Sequence, residues 1–160
     1  MSRQYGKKNV PFALELRYNG IIYRRIQVIS MNNSSMDSFS AKISPVPQQR
    51  IMDRLDLLMT RKDFGGAEKH LLYWLDEAKR GNDLRGQLTV LNELIGFYRK
   101  TGRRAEAFDS ADKALALLRE PESDGLIGTG TTCVNIATAY SAFGEYEKSL
   151  TYFDRALRIY

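Results

Sequence analysis

Cysteine, histidine and tryptophan each occur once in this 160-residue chain, and proline four times. A lone cysteine, Cys133, cannot close an intrachain disulfide, which fits a reducing compartment and makes the cytoplasm the expected location. One cysteine and one histidine fall short of the ligand set of a zinc site, so no metal or other cofactor is expected. No apolar run approaches the ~18–20 residues that cross a bilayer, so no membrane role is expected. The basic N-terminus is not followed by an apolar core with a small-residue cleavage site, and a secretory signal is not expected either. A hydrophobic content of 43% with 27% charged residues is that of a soluble globular protein.

The positive charge is unevenly spread. Residues 1–50 hold eight basic against two acidic side chains, a net of +6, whereas residues 51–160 hold sixteen against seventeen, a net of −1. Any phosphate binding would therefore rest on the N-terminal part, because only clustered positive charge releases counterions. Within it, Phe12, Leu14, Leu16 and Tyr18 alternate with polar or small residues up to Asn19-Gly20, and Ile21 and Tyr23 continue beyond. Asn-Gly between alternating apolar runs predicts a β-hairpin, since both central residues of a type I′ turn need positive φ. Residues 1–29 thus read as a basic arm carrying a hairpin. Residues 30–49 read as a polar linker, crowded with serine and closed by Pro45-Val46-Pro47, whose backbone resists helix. The arm shows no helix-turn-helix pattern, so nucleic acid is not the expected partner.

From Ile51 the pattern is helical. Ile51, Leu55 and Leu58 recur at 3/4 spacing, and so do Ala67, Leu71, Trp74, Leu75 and Ala78. Four further stripes follow, through Leu91/Tyr98, Ala107/Leu118, Cys133/Tyr140 and Leu150/Leu157, with breaks at Asp63-Phe64-Gly65-Gly66, Arg80-Gly81-Asn82, Thr101-Gly102, Pro121 and Phe143-Gly144. This predicts six amphipathic helices in three pairs, over 51–82, 83–120 and 124–160, with turn glycines supplying left-handed backbone. The last two units repeat each other at an offset of 42. Sliding 83–118 onto 125–160 matches Gly86 with Gly128, Tyr98 with Tyr140, Gly102 with Gly144, Ala114 with Ala156 and Leu115 with Leu157. A fixed period of this kind marks units that bury their apolar faces only against neighbours.

The motif Cys133-x-x-Ile136-Ala137-x-x-Tyr140, followed by Gly144-x-Tyr146-x-x-Ser149-Leu150-x-x-Phe153-x-x-Ala156-Leu157, resembles the tetratricopeptide repeat. The middle unit matches it through Leu91, Leu94, Ile95, Tyr98, Gly102, Ala107, Phe108, Ala111, Ala114 and Leu115. The period exceeds the family's usual ~34 residues, and in this the chain is similar to the extended-helix repeats of kinesin light chains and bacterial regulators. The resemblance implies a mainly α fold, an α–α superhelix of three helix pairs behind the hairpin arm. Residues 51–82 depart from the motif, with Trp74 where alanine is expected and no glycine in Arg61-Lys62-Asp63, and read as a capping unit.

The resemblance also implies a non-enzymatic scaffold that holds a protein or peptide along its concave face. It places Thr89, Asn92, Glu93, Gly96, Arg99 and Lys100 in that groove, with Thr131, Asn135, Thr138 and Ser141 beside them. Asn92, Arg99, Lys100, Asn135, Thr138 and Ser141 are the candidate peptide-binding residues: an amide offers donor and acceptor to a peptide backbone, and the cations suit a carboxylate. Val134, Thr138 and Gly96 replace the Lys and Asn of the family's two-carboxylate clamp, so that specificity is not expected. Phe153, Leu157, Ile159 and Tyr160 are candidates for self-association through the last helix, forming a bare apolar patch that a second copy or further repeats would cover. Two other roles stay open: a fragment of a bacterial regulator whose basic arm contacts nucleic acid, and a self-assembly module. No residue is assigned a catalytic role. His70 is expected as a solvated surface residue and Cys133 as a buried structural thiol. Gly125, Gly128 and Gly130 lack the strand and the Gly-Lys-Ser/Thr of a phosphate loop and are read as packing glycines.

Overall fold

The computed structural model describes residues 46–119 and 128–159. The hairpin expected over residues 10–29 and most of the linker lie outside the described residues, as do Glu120, Glu122, Asp124, Leu126 and Tyr160. All regular structure among the described residues is helical: α1 (Gln48–Thr60), α2 (Phe64–Arg80), α3 (Leu84–Lys100), α4 (Arg104–Leu117), α5 (Gly128–Ala142) and α6 (Tyr146–Leu157).

One turn device joins α1 to α2, α2 to α3, α3 to α4 and α5 to α6. The amides of Asp63, Asp83, Arg103 and Glu145 each donate back to the carbonyl five residues earlier, on Leu58, Ala78, Tyr98 and Tyr140, at 2.8–2.9 Å. That bond requires a left-handed residue just before the donor, and Lys62, Asn82, Gly102 and Gly144 supply it with φ of 57°, 49°, 73° and 82°. Glycine therefore fills the role in only two of the four turns. Asparagine tolerates the conformation, whereas Lys62 adopts it at a cost of about 1–2 kcal/mol. Two sequence expectations change accordingly. Gly81 is ordinary right-handed backbone (φ −78°). Gly65 and Gly66 belong to the first turn of α2, because Asp63 caps that helix by accepting from the Gly66 amide at 2.8 Å. Asp83 repeats the cap on Gly86 at 2.8 Å. A Cβ on Gly86 would come within 2.5 Å of Val46 Cγ2.

The helices stack as pairs. α3 packs on α2, α4 and α5, and α5 on α3, α4 and α6, while the second helices of neighbouring pairs make no comparable contact with each other. α3 and α5 thus meet directly, and α3 is buried along most of its length. Within its pair, α4 presents Ala107, Ala111 and Ala114, all fully buried at i, i+4 and i+7, so the backbones of the pair approach closely. Between pairs, Phe108 of α4 lies against Tyr140 and Phe143 of the next pair, with ring centroids 4.7 and 5.6 Å apart. Arg104 donates to the Phe143 carbonyl at 3.2 Å and to Glu145.

The seam between the first and second pairs is polar at its edge. Tyr98 donates to Glu68 Oε1 at 2.9 Å and Arg103 to Glu68 Oε2 at 2.6 Å, with the guanidinium 4.7 Å above the Tyr98 ring. The Arg103 bond holds the Glu68 carboxyl below its ordinary range. Burial, with the bond to Glu68, pushes the Tyr98 phenol up to about 12.

His70 corrects a third expectation. It is half-buried, and its Nε2 lies 3.1 Å from the Ile51 carbonyl oxygen, linking α2 to α1. The turn residues Lys62 and Gly102 stand 40 apart and Gly102 and Gly144 stand 42 apart. In that register His70 matches buried Ser110 and half-buried Tyr152, so its position faces the array. Trp74, at the alanine position of the first pair, is partly buried and packs edge-on to Tyr73 at 5.2 Å.

Candidate functional site

One side of α3 carries half-buried Thr89, Asn92, Glu93, Gly96 and Arg99 and exposed Lys100, opposite buried Leu91, Leu94 and Tyr98. Their spacing keeps them on one helix face. Nothing lies within 4 Å of a Cβ built on Gly96, so the floor of this face is open there. On α5 the matching positions are Thr131, Asn135, Thr138 and Ser141, all half-buried.

The candidates differ in what they have free. Asn92 is committed to the fold: its Nδ2 donates to Thr132 Oγ1 at 2.9 Å, joining α3 to α5. Its Oδ1 is buried without a partner among the described residues. Thr138 returns its hydroxyl to the Val134 carbonyl at 2.7 Å. Asn135 is half-buried, and its amide forms no hydrogen bond among the described residues. Half-buried Arg99 and exposed Lys100 form no ion pair among them. The structure brings the two helices together at Asn92 and Thr132, and the other candidates share the face through helical register alone.

The first pair adds a group that the sequence reading left out of the groove. Asp56 occupies the position on α1 that Gly96 and Thr138 occupy on α3 and α5, and it lies in the electrostatic field of Glu93. Burial raises the Glu93 carboxyl above its ordinary value; Lys100 opposes the rise and Asp56 adds to it. The residue spacing alone could have placed Asp56, since 40 residues separate it from Gly96. Partial burial of Glu93 leaves no trace in sequence.

A stability consequence follows from that raised value. The folded chain holds the Glu93 proton more tightly than the unfolded chain, so this group favours folding at acid pH. The benefit is lost as pH rises through the folded-state value. Glu93→Gln is expected to raise the melting temperature at neutral pH, with the gain shrinking toward pH 4. Thermal unfolding of both proteins across that range checks it, and equal gains at every pH would count against the assignment.

Cys133 is fully buried, as expected of a structural thiol, and burial pushes its pKa up, which suppresses the reactive thiolate. Gly128 packs closely, a Cβ there meeting Leu88 Cδ2 at 3.1 Å. Among the described residues no group of three or more His, Cys, Asp or Glu could hold a metal ion. No described helix is long and apolar enough to cross a membrane. Of the self-association candidates, Phe153 is half-buried, Leu157 and Ile159 are exposed, and Tyr160 lies outside the described residues.

Residues 86–160 match the sequence model of the tetratricopeptide repeat family. These residues are tetratricopeptide repeats. The crystal structure of the TPR domain of Arabidopsis FLU is similar in fold, with a TM-score of 0.56 and 18% identity over 70% of this chain and 96% of that one. No curated protein matches the chain. The tetratricopeptide assignment makes this array a protein-interaction scaffold in general terms, of a fold that is generally non-catalytic.

Proposed function

We propose that the tetratricopeptide array binds an extended protein or peptide segment along the face formed by α1, α3 and α5, without catalysing a reaction. The unbonded amide of Asn135 carries this reading. A half-buried amide with both donor and acceptor free can pair with a peptide backbone whatever its sequence. Gly96 leaves room for a chain to approach, and unpaired Arg99 and Lys100 suit a carboxylate at one end. Asp56 and Glu93 favour a donor or a cation toward α1, giving the groove a polarity that orients the ligand. The lone buried Cys133 suits work in the cytoplasm.

The test begins with a ligand recovered by co-purification and measured by calorimetry. Asn135→Ala is expected to weaken binding about ten-fold, the effect of about 1–1.5 kcal/mol for one hydrogen bond, with the circular dichroism spectrum unchanged. Full affinity in this variant would place the ligand elsewhere.

A further inference from the structure

The outer face of α6 repeats a face that is covered elsewhere in the array. By the 42-residue register, Tyr146, Leu150, Phe153 and Leu157 of α6 match Arg104, Phe108, Ala111 and Leu115 of α4. On α4 the exposed half of that stripe is covered by the next pair, where Phe108 meets Tyr140 and Phe143 and Arg104 bonds across to Glu145. On α6 the stripe is open, with Tyr146, Leu150 and Leu157 at 65%, 67% and 76% exposure. Here four large apolar side chains lie at i, i+4, i+7 and i+11, one continuous strip on one helix face.

The opposite end of the array does not fit this strip. The corresponding outer face of α1 presents Arg50, Arg54, Leu57 and Arg61, and the three arginines are exposed. A head-to-tail contact would lay arginines on aromatic and leucine side chains, and repeated it would build an open filament. The α6 face is instead complementary to itself. Glu147 flanks the strip near the N-terminus of α6 and Arg158 flanks it on the same side just past the C-terminus. Glu147 has no ion-pair partner among the described residues, and Arg158 pairs only with Asp154 of its own helix.

We propose that α6 pairs with α6 of a second copy, antiparallel about a two-fold axis near Thr151. This arrangement brings Leu150 and Phe153 of the two copies together at the centre. It sets Glu147 of each copy beside Arg158 of the other, and it opposes the two helix dipoles. The strip is about 18 Å long, small for a permanent interface, so the dimer forms in the micromolar range.

Sedimentation equilibrium of the full chain across a micromolar concentration series tests it. The expected mass is twice the 18.3 kDa of one chain at the upper end. Leu150→Asp is expected to lose the dimer, with association weakened about a hundred-fold or more and helicity retained. Glu147→Arg and Arg158→Glu are each expected to weaken it about three- to ten-fold, and their combination to restore it. A monomer throughout the series overturns the proposal and assigns the strip to a different occupant. A dimer that survives Leu150→Asp overturns it by locating the contact elsewhere. Failure of the double charge reversal to restore association overturns the antiparallel register.

Discussion

Leu94→Ala is expected to destabilise the array by about 3 kcal/mol and to loosen its first helix pair from the rest. Leu94 is 1% exposed and lies one turn before Tyr98, on the face of α3 that reaches Glu68 of α2. Its counterpart Ile136 is also fully buried, on the face of α5 where Tyr140 meets Phe108. Truncating Leu94 leaves a cavity at a seam between units, where nearest-neighbour coupling resides. The single tryptophan makes this visible, because Trp74 lies on α2. In the parent chain, urea unfolding followed by Trp74 fluorescence and by circular dichroism is expected to coincide. In the variant the fluorescence transition comes first, at lower urea. Coincident transitions shifted by less than about 1 kcal/mol would show that Leu94 is not a coupling residue.

The helical array was readable from sequence because its information is repeated. Tyr98 and Tyr140, Ala114 and Ala156, and Gly102 and Gly144 each occur at one offset, and identical burial demands explain each pair. The first pair was harder, since an end unit has only one neighbour to satisfy. Its partly buried Met52, Met59 and Trp74, pliable or bulky side chains, stand where the second pair uses Asn92, Arg99 and Ala114. Its turn uses Lys62, whose left-handed backbone no composition rule predicts. His70 reads as outward in sequence because a polar residue on an amphipathic helix is usually solvated. The period matching it to Ser110 and Tyr152 held the better answer.

The candidate site was legible in outline only. Repeat register placed Asn92, Asn135, Arg99 and Lys100 on one face, but it could not separate occupied groups from free ones. Asn92 reads like a ligand-binding amide in sequence, yet in the fold it bridges to buried Thr132. Thr138 satisfies its own helix, as β-hydroxyl residues commonly do. Such hydrogen bonds depend on how closely two helices approach, which follows from the whole stack and not from local spacing. The α6 strip was partly visible as Phe153 and Leu157. Only the structure separates it from Ser149 and Ala156, which are buried in the last pair.

Ala114→Trp is expected to be as damaging as any single substitution in the array, at about 1–3 kcal/mol or more, through overpacking. The side chain is fully buried on the alanine face of α4 that packs against α3, the helix on which α2 and α5 also lean. An indole there must push the α3 and α4 backbones apart, and both neighbouring seams move with them. Unlike the seam variant, this one is expected to shift the Trp74 region and the total helicity together, since the central pair supports both of its neighbours. With a second tryptophan present, hydrogen exchange of α2 amides replaces fluorescence as the local probe. The natural Trp74 does not contradict the expectation: at the matching position of the end pair it remains partly exposed and spreads against Tyr73. Ala116→Trp, two residues along on the exposed side of α4, controls for helix propensity and is expected to change stability by about 0.5 kcal/mol. If Ala114→Trp proved as mild as that control, the close approach of α3 and α4 would be wrong, and with it the reason why alanine stands at Ala114 and Ala156 in successive repeats.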